Sequence, residues 1–270
     1  MDKRIYKVGF VGCGNMGGVL LRRVIENIGA EHTAICEPMP EKAQAFVDMG
    51  ADALSLTELA SHSEIIFLAV KPQVLPAVLT DMKDALAQNP TALLVTMAAG
   101  VDIAKVASLV KSEHSIIRIM PNLPASVGKG VILYCTNEKT TQAEKALFLS
   151  LLQGAGLLDA ISEEDIDAAS VVSGCGPAFV YRFAEAFVKA AVACGVEEEK
   201  ALLYVKHTLL GAASVMCQTQ TPLSSLVDAV CSPKGTTIEG IDKLNALDVD
   251  ALLKETLQAS YARTLELKKG

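Results

Sequence analysis

The fold of this chain is decided by the stretch Val8-Gly9-Phe10-Val11-Gly12-Cys13-Gly14-Asn15-Met16-Gly17. An apolar run, typical of a buried strand, leads directly into the pattern G-x-G-x-x-G. Apolar residues then recur at helical spacing: Leu20, Leu21, Val24, Ile25 and Ile28. A strand, a glycine turn and a helix in this order predict a dinucleotide-binding unit. Without that context, the glycine pattern would indicate only a turn in an ordinary α/β protein.

Each glycine of the pattern has its own expected role. Gly12 permits the tight turn, Gly14 lets the backbone approach a pyrophosphate, and Gly17 lets helix and strand pack closely. Asn15 and Met16 open the helix, whose N-terminus offers unpaired N–H groups and a partial positive charge to phosphates. We predict that these five residues bind the cofactor.

Composition excludes several classes of protein. The 270 residues are 51% apolar and 20% charged, as in a folded chain large enough for two domains. A net charge of −7 without a basic tract argues against nucleic acid, and no apolar run is long enough for a membrane helix. Seven scattered cysteines and four isolated histidines predict reduced thiols and no metal site. Because the first strand follows Met1-Asp2-Lys3-Arg4 at once, we expect no signal peptide and a cytoplasmic protein.

The first half of the chain alternates between strand-like and helical patterns. Strands are predicted at 33–36, 65–70, 93–97, 115–119 and 131–134, and helices at 41–49, 73–88, 103–110 and 141–153. This alternation predicts a doubly wound parallel sheet. After about Ser162 only helical patterns follow, at 177–194, 197–217, 238–247 and 250–268. We therefore predict an α/β protein with an N-terminal Rossmann dinucleotide-binding domain at residues 1–162 and an all-α dimerisation and substrate domain at 163–270.

Small residues are dense in the helical half. They favour close helix packing, and a few helices alone make a thin core that a second subunit would complete. We predict a homodimer, with packing inside one chain as the alternative. The residues are Ala184, Ala186, Ala190, Ala191, Ala193, Gly211, Ala212 and Ala213.

Three short segments follow predicted strands. In an open α/β sheet, ligands bind outside the carboxyl ends of the strands, so these segments should converge on the cofactor crevice. Each alone is an unremarkable loop, but together they are predicted to bind the cofactor. They are Val70-Lys71-Pro72, Ala98-Ala99-Gly100, and the loop 120–124, in which Asn122 is the predicted contact.

Glu37 stands at the end of the second predicted strand, 20 residues after Gly17. A dinucleotide fold places an acidic residue there, on the 2′-hydroxyl of the adenosine ribose. A carboxylate accepts a hydrogen bond from that hydroxyl but repels a 2′-phosphate. The sequence therefore predicts NADH or NADPH as cofactor, with NADH favoured, provided that Glu37 does not point into solvent.

A fourth segment, Ser232-Pro233-Lys234-Gly235-Thr236-Thr237, lies in the helical half. Pro233 should stop one helix and Thr237 should open the next. The N–H groups of Gly235 and Thr236 would then form a carboxylate site at a helix start, although plain capping by Ser and Thr is the alternative.

With these segments, the chain resembles the pyrroline-5-carboxylate reductase family over nearly its whole length. The motifs in order are the glycine turn, A-V-K-P at 69–72, A-A-G at 98–100, P-N-x-P at 121–124, S-G-x-G-P-A at 173–178 and S-P-x-G-T-T at 232–237. The resemblance implies hydride transfer from NAD(P)H to the C=N bond of 1-pyrroline-5-carboxylate, giving L-proline. It also implies a Rossmann domain and a helical dimerisation domain, with dimers that in some members assemble into decamers.

The resemblance also implies roles for the fourth segment. Ser232, Gly235 and Thr236 would hold the substrate carboxylate. Thr237 would bind the substrate beside the imine nitrogen and is the predicted catalytic residue.

Three positions depart from the family pattern. Lys234 and Cys175 stand where the family usually has glycine and serine, and Leu123 stands where it usually has threonine. A non-glycine residue resists positive φ, so the backbone at Lys234 should be either ordinary or strained. Two alternatives stay open: a related imine or β-hydroxyacid reductase of the same plan, and a non-catalytic dinucleotide-binding paralogue.

Overall fold

A computed structural model of the chain describes residues 5–110 and 113–269. Its sheet has the strand order β3-β2-β1-β4-β5-β6-β7-β8. The strands are β1 (Tyr6–Val11), β2 (Thr33–Cys36), β3 (Asp52–Ala53), β4 (Ser63–Leu68), β5 (Leu93–Thr96), β6 (Ile116–Met120), β7 (Gly130–Thr136) and β8 (Gly156–Ala160).

Helices follow most strands and then occupy the rest of the chain. They are α1 (Asn15–Ile28), α2 (Pro40–Asp48), α3 (Leu56–His62), α4 (Leu75–Ala87), α5 (Ile103–Val110), α6 (Gln142–Leu151), α7 (Glu163–Ser173), α8 (Gly176–Ala193), α9 (Glu198–Gln218), α10 (Leu223–Val230), α11 (Thr236–Ala246) and α12 (Val249–Lys269). The predicted order, a strand–helix half followed by helices, is confirmed.

Strands β1 to β6 are all parallel, in the doubly wound arrangement that the sequence predicts. The prediction of a wholly parallel sheet is wrong for β7, which pairs antiparallel with β6. The short connection from β6 to β7 holds a 3₁₀ turn at Leu123–Val127. A parallel crossover needs about a dozen residues or more, so this connection can only reverse the chain.

Apolar side chains of the strands alternate between two cores, one on each face of the sheet. On β1, Phe10 packs on one face and stacks on Phe67 with ring centroids 4.5 Å apart, while Val11 packs on the other. Helix α1 covers the first face with Leu20 and Leu21. Each fully buried side chain of this size contributes about 1.5–3 kcal/mol. The sheet is therefore anchored through β1, directly before the glycine turn.

Several elements have no range in the sequence prediction, among them β3, β8, α3 and α7. Strand β8 lies at the edge of the sheet beside β7, and three of its five residues are exposed, so no apolar run marks it. Helix α3 is short and begins with a capping box, in which Ser55 and Glu58 bond each other's main-chain N–H groups. Cap pairs of this kind can fix a helix too short to show periodicity.

The chain forms two compact units: Met1–Pro177 with Ser260–Gly270, and Ala178–Ala259. The predicted boundary at 162/163 stays a prediction, and in this division α7 packs with the sheet. Its residues Ile166, Asp167 and Val171 are buried, and Ile166 belongs to the core of the second face.

The second unit carries large exposed apolar side chains. Helix α8 buries none of its residues, and Phe183 and Phe187 are 46% and 52% exposed. Such faces on a single chain are typical of a surface that a partner covers. Within residues 5–110 and 113–269, no helix is long and apolar enough to span a membrane, and no three metal-ligating side chains form a cluster.

Candidate active site

The glycine turn after β1 is crowded at two of its glycines. Gly12 has φ +95°, and a Cβ there would lie 2.7 Å from the carbonyl oxygen of Ala69. A Cβ on Gly17 would lie 2.6 Å from the carbonyl oxygen of Gly12 and 2.8 Å from Cβ of Ala69. Glycine is therefore required at Gly12 for the turn and at Gly17 for close packing of α1 on the strand ends.

Gly14 is different, because a Cβ added there meets no atom within 4 Å. It is the N-cap of α1, with φ −65°, and it has no side chain to satisfy the first N–H groups of the helix. The first turn, which includes Asn15, Met16 and Gly17, carries no acidic residue. Open space in front of unpaired N–H groups and a positive helix end fits a dinucleotide pyrophosphate.

Glu37 follows β2 and is held beside the glycine turn. Its Oε2 accepts a hydrogen bond from the main-chain N–H of Cys13 at 2.7 Å, and its Oε1 accepts one from that of Met39 at 3.1 Å. The carboxylate is half-buried, so the alternative that it points away into solvent is not what this geometry shows. Burial, followed by the negative charge of Glu37, raises the pKa of the Cys13 thiol to about 12. Cys13 therefore stays protonated and uncharged beside the carboxylate.

The segment after β4 lies against the glycine turn. Ala69 donates its main-chain N–H to the carbonyl of Val11 at 2.8 Å, and a Cβ on Gly12 would lie 3.2 Å from Cγ1 of Val70. The carbonyl of Lys71 accepts hydrogen bonds from the main-chain N–H groups of Val74 and Leu75. These bonds form the turn at Pro72 that precedes α4. The structure thus brings Val70 beside Gly12, with Lys71 and Pro72 directly behind.

The turn Ala98-Ala99-Gly100 follows β5 at the same edge of the sheet. The N–H of Val101 reaches the carbonyl of Ala98 at 3.3 Å, and Gly100 has φ +74°. Gly100 also lies against the last turn of α12, where a Cβ on it would be 3.3 Å from the carbonyl of Leu267.

Asn122 has a different environment from the other predicted cofactor residues. Its side chain is buried, donates to the carbonyl of Ser173 at 2.8 Å and accepts from the N–H of Val131 at 2.8 Å. The amide thereby joins the loop after β6 to β7 and to the end of α7. The neighbouring Leu123 is 48% exposed. The role of Asn122 as a cofactor contact stays a prediction. Its hydrogen bonds give it a role in positioning the loop.

The segment 232–237 forms the start of α11 in the second unit. Gly235 is the N-cap, its N–H bonds the carbonyl of Ser232 at 2.9 Å, and a Cβ on it would collide with Oγ of Ser232. Thr236 and Thr237 begin the helix and are exposed. Unpaired N–H groups and three hydroxyls therefore cluster at one helix start, which is a donor set for a carboxylate.

Lys234 takes the strained alternative, with φ +59°. L-residues other than Asn and Asp avoid this left-handed conformation, which costs about 1–2 kcal/mol. The departure from glycine at this position therefore leaves the loop backbone in a glycine-like conformation.

Sequence reasoning missed Arg118, which lies in the middle of β6 and is fully buried. Its guanidinium bonds Asp167, and Nη1 lies 3.4 Å from Oε1 of Glu163. A lone arginine between isoleucines in the strand Ile116–Met120 is a signal for a buried ion pair, but its partners lie 45 and 49 residues away.

Comparisons with known proteins identify the family of the chain. Residues 163–267 match the family model for pyrroline-5-carboxylate reductase dimerisation, and residues 7–100 match that for NADP oxidoreductase, coenzyme F420-dependent. The pyrroline-5-carboxylate reductase of Escherichia coli is 34% identical over 268 residues, which cover 98% of this chain and 99% of that protein. The chain belongs to the pyrroline-5-carboxylate reductase family. It is an oxidoreductase that acts on a cyclic C=N bond with a nicotinamide dinucleotide.

Solved structures of family members share the whole fold. The pyrroline-5-carboxylate reductase of Coxiella burnetii superimposes with a TM-score of 0.90 at 29% identity, over 99% of this chain and 100% of that one. The Plasmodium falciparum enzyme, solved with NADP bound, gives 0.88 at 29% identity, over 97% and 98%. The predicted family and fold class are confirmed.

Proposed function

We propose that this pyrroline-5-carboxylate reductase takes its hydride from NADH in preference to NADPH. The observation that carries the proposal is the fixed carboxylate of Glu37, 2.7 Å from the N–H of Cys13 in the glycine turn. A carboxylate held there accepts a hydrogen bond from a ribose 2′-hydroxyl and repels a 2′-phosphate. The NADP bound to the Plasmodium enzyme belongs to that protein, so the preference is a property to be measured here.

The rest of the cofactor site is assigned to three segments at one edge of the sheet. The N–H groups that follow Gly14 receive the pyrophosphate, and the loops after β4 and β5 line the crevice. The reduced dinucleotide supplies the hydride when bound, and the protein's contribution is to orient it and exclude water.

The loop 232–237 is assigned to the substrate. The hydroxyl of Ser232 and the N–H of Thr236 bind the carboxylate of 1-pyrroline-5-carboxylate, with Gly235 leaving room for the Ser232 hydroxyl, and the hydroxyl of Thr237 bonds the ring nitrogen. The hydride adds to the imine carbon and a proton is retained on nitrogen, giving L-proline and the oxidised cofactor. This chemistry needs no strong acid, because the hydroxyl of Thr237 only has to orient the nitrogen and pass or hold a proton.

The working form is proposed to be a homodimer built through the second unit. The exposed faces of α8 and the match to the dimerisation model support this assignment. Sedimentation of the full-length protein should give twice the mass of 28.5 kDa. A decamer of five such dimers would be resolved in the same run, and an active monomer would contradict the proposal.

A cytoplasmic location is also proposed. All seven cysteines are free, and free thiols persist in reducing compartments. Fractionation of the source cells, with the enzyme followed by antibody, would test this directly.

A panel of substrates tests the activity against its rivals. Reduction should be fastest with pyrroline-5-carboxylate. In the reverse direction, with the oxidised dinucleotide, oxidation should be measurable with the cyclic amine 3,4-dehydroproline and absent with an open-chain β-hydroxyacid. Preference for the open-chain compound would favour the related dehydrogenases. Cofactor binding without any turnover would instead indicate a non-catalytic paralogue.

A further inference from the structure

A network of charges around the buried Arg118 and Asp167 joins four elements of the first unit. Arg118 of β6 is fully buried and its guanidinium bonds Oδ1 of Asp167 on α7, whose side chain is only 4% exposed. The second oxygen of that carboxylate, Oδ2, accepts from Nζ of Lys268 at 3.1 Å. Asp167 therefore lies between two cations, one from the sheet and one from the C-terminal helix.

The same last turn of α12 lies against the predicted cofactor turn. A Cβ on Gly100 would be 3.3 Å from the carbonyl carbon and oxygen of Leu267, and 3.4 Å from the main-chain nitrogen of Lys268. Because Gly100 has no side chain, the two backbones lie at close contact. The residue that makes the ion pair with Asp167 is thus the residue whose backbone touches the turn.

A second link reaches the helix that follows the turn. Glu163, on the first turn of α7, accepts the main-chain N–H of Ile103 at 2.8 Å and so caps α5. The same Oε1 lies 3.4 Å from Nη1 of Arg118. Gly100 and Ile103 are therefore contacted by residues whose side chains converge on Arg118 and Asp167.

We infer that Asp167 and Lys268 form a positioning pair that sets the conformation of the turn 98–100, so that the C-terminal end of the chain tunes cofactor affinity. The inference rests on the proposed assignment of that turn to the cofactor. Neither residue touches the reacting atoms, and the pair acts by fixing the backbone behind the turn. Buried carboxylates that lose one cation become costly to keep charged, so loss of Lys268 should loosen this region.

The test compares Lys268→Met with the conservative Lys268→Arg and with a control on the same helix. The control is Arg263→Met, which breaks an ion pair to Glu266 whose partners are 67% and 64% exposed. In Lys268→Met, the Kd for NADH, measured by fluorescence, should rise about fivefold, the range of a partly exposed ion pair. The KM for the imine should stay within twofold, Lys268→Arg should recover most of the affinity, and Arg263→Met should match the unaltered enzyme.

Hydrogen–deuterium exchange of the cofactor-free protein supplies a readout apart from activity. Amides of residues 98–103 should exchange faster in Lys268→Met than in Arg263→Met. Equal exchange, or a fall in melting temperature with affinity unchanged, would overturn the inference and leave a merely structural ion pair.

A separate variant distinguishes this inference from the assignment on which it rests. Ala99→Asp adds a negative charge to the turn and should weaken NADH binding strongly if the turn contacts the cofactor. If it does so while Lys268→Met has no effect, only the positioning pair is wrong. If Ala99→Asp leaves NADH binding unchanged, the assignment of the turn to the cofactor is wrong.

Discussion

Glu37 Oε2 and the main-chain nitrogen of Cys13 are 2.7 Å apart, so the end of β2 is hydrogen-bonded to the glycine turn. The bond ties the residue predicted to select the cofactor to the loop predicted to bind its phosphates. The second oxygen is engaged by the N–H of Met39. Each carboxylate oxygen has a further lone pair, so a ribose hydroxyl can still be accepted without moving the side chain.

Removing the charge of Glu37 should shift cofactor preference toward NADPH. Glu37→Gln keeps an oxygen for the Cys13 N–H while abolishing repulsion of a 2′-phosphate. The ratio of kcat/KM for NADPH to that for NADH should rise about tenfold or more, since tenfold corresponds to about 1.4 kcal/mol and one close like-charge contact is worth roughly 1–4 kcal/mol. Glu41→Gln, an exposed carboxylate in the first turn of α2, is the matched control. An unchanged ratio in Glu37→Gln, or a preference of the unaltered enzyme for NADPH, would exclude Glu37 as the selector.

Two glycines of one motif should fail in different ways. Gly14→Ala places a methyl group in open space at an ordinary φ, so stability should be retained while the KM for NADH rises. Gly17→Ala drives a methyl group to 2.6 Å from the carbonyl oxygen of Gly12, so the free energy of unfolding should fall by about 1–3 kcal/mol. Urea unfolding and NADH titration of both variants separate the two effects. A stable Gly17→Ala, or an unfolded Gly14→Ala, would contradict this geometry.

The glycine turn, most of the strand–helix alternation as far as β6 and the helical second half could be predicted because each has a local sequence signal. The direction of a strand has no local sequence signal. The pattern at 131–134 therefore predicts a strand of the parallel sheet, whereas the short connection makes β7 antiparallel to β6. The side chain of Asn122 depends on Ser173, which is 51 residues away, and spacing gives no sign of such a pair. The partners of Arg118 lie 45 and 49 residues away and could be found only from the folded structure.

Loss of the Thr237 hydroxyl should slow turnover without unfolding the protein. The side chain is exposed at the second position of α11, so Thr237→Ala removes little packing. A hydrogen bond that strengthens as charge at the imine nitrogen changes is worth about 1–3 kcal/mol, and kcat should fall roughly tenfold to a hundredfold. Thr237→Ser should restore most of the rate. A normal kcat with a raised KM would make Thr237 a binding or capping residue only.

Replacing Lys234 with glycine should stabilise the second unit. The residue has φ +59°, and glycine relieves a backbone strain of about 1–2 kcal/mol. Glycine also favours the unfolded chain by about 0.4–1 kcal/mol through its conformational entropy, so the net effect should be a gain in stability. Asp248→Gly, at φ +52°, is the control. Asp248 Oδ1 accepts the N–H of Ala251 at 3.0 Å, so glycine there loses a bond and should bring no gain. Urea denaturation decides the matter, and a destabilised Lys234→Gly would mean that the lysine side chain makes a compensating contact.

The most direct measurement follows an isotope from the cofactor into the product. NADH carrying deuterium at both C4 positions of the nicotinamide is incubated with pyrroline-5-carboxylate and the full-length enzyme. The mass of the proline formed is then measured by mass spectrometry. We expect each proline to carry one deuterium, bound to the former imine carbon. Proline without deuterium, or NADH bound but never consumed, would contradict it.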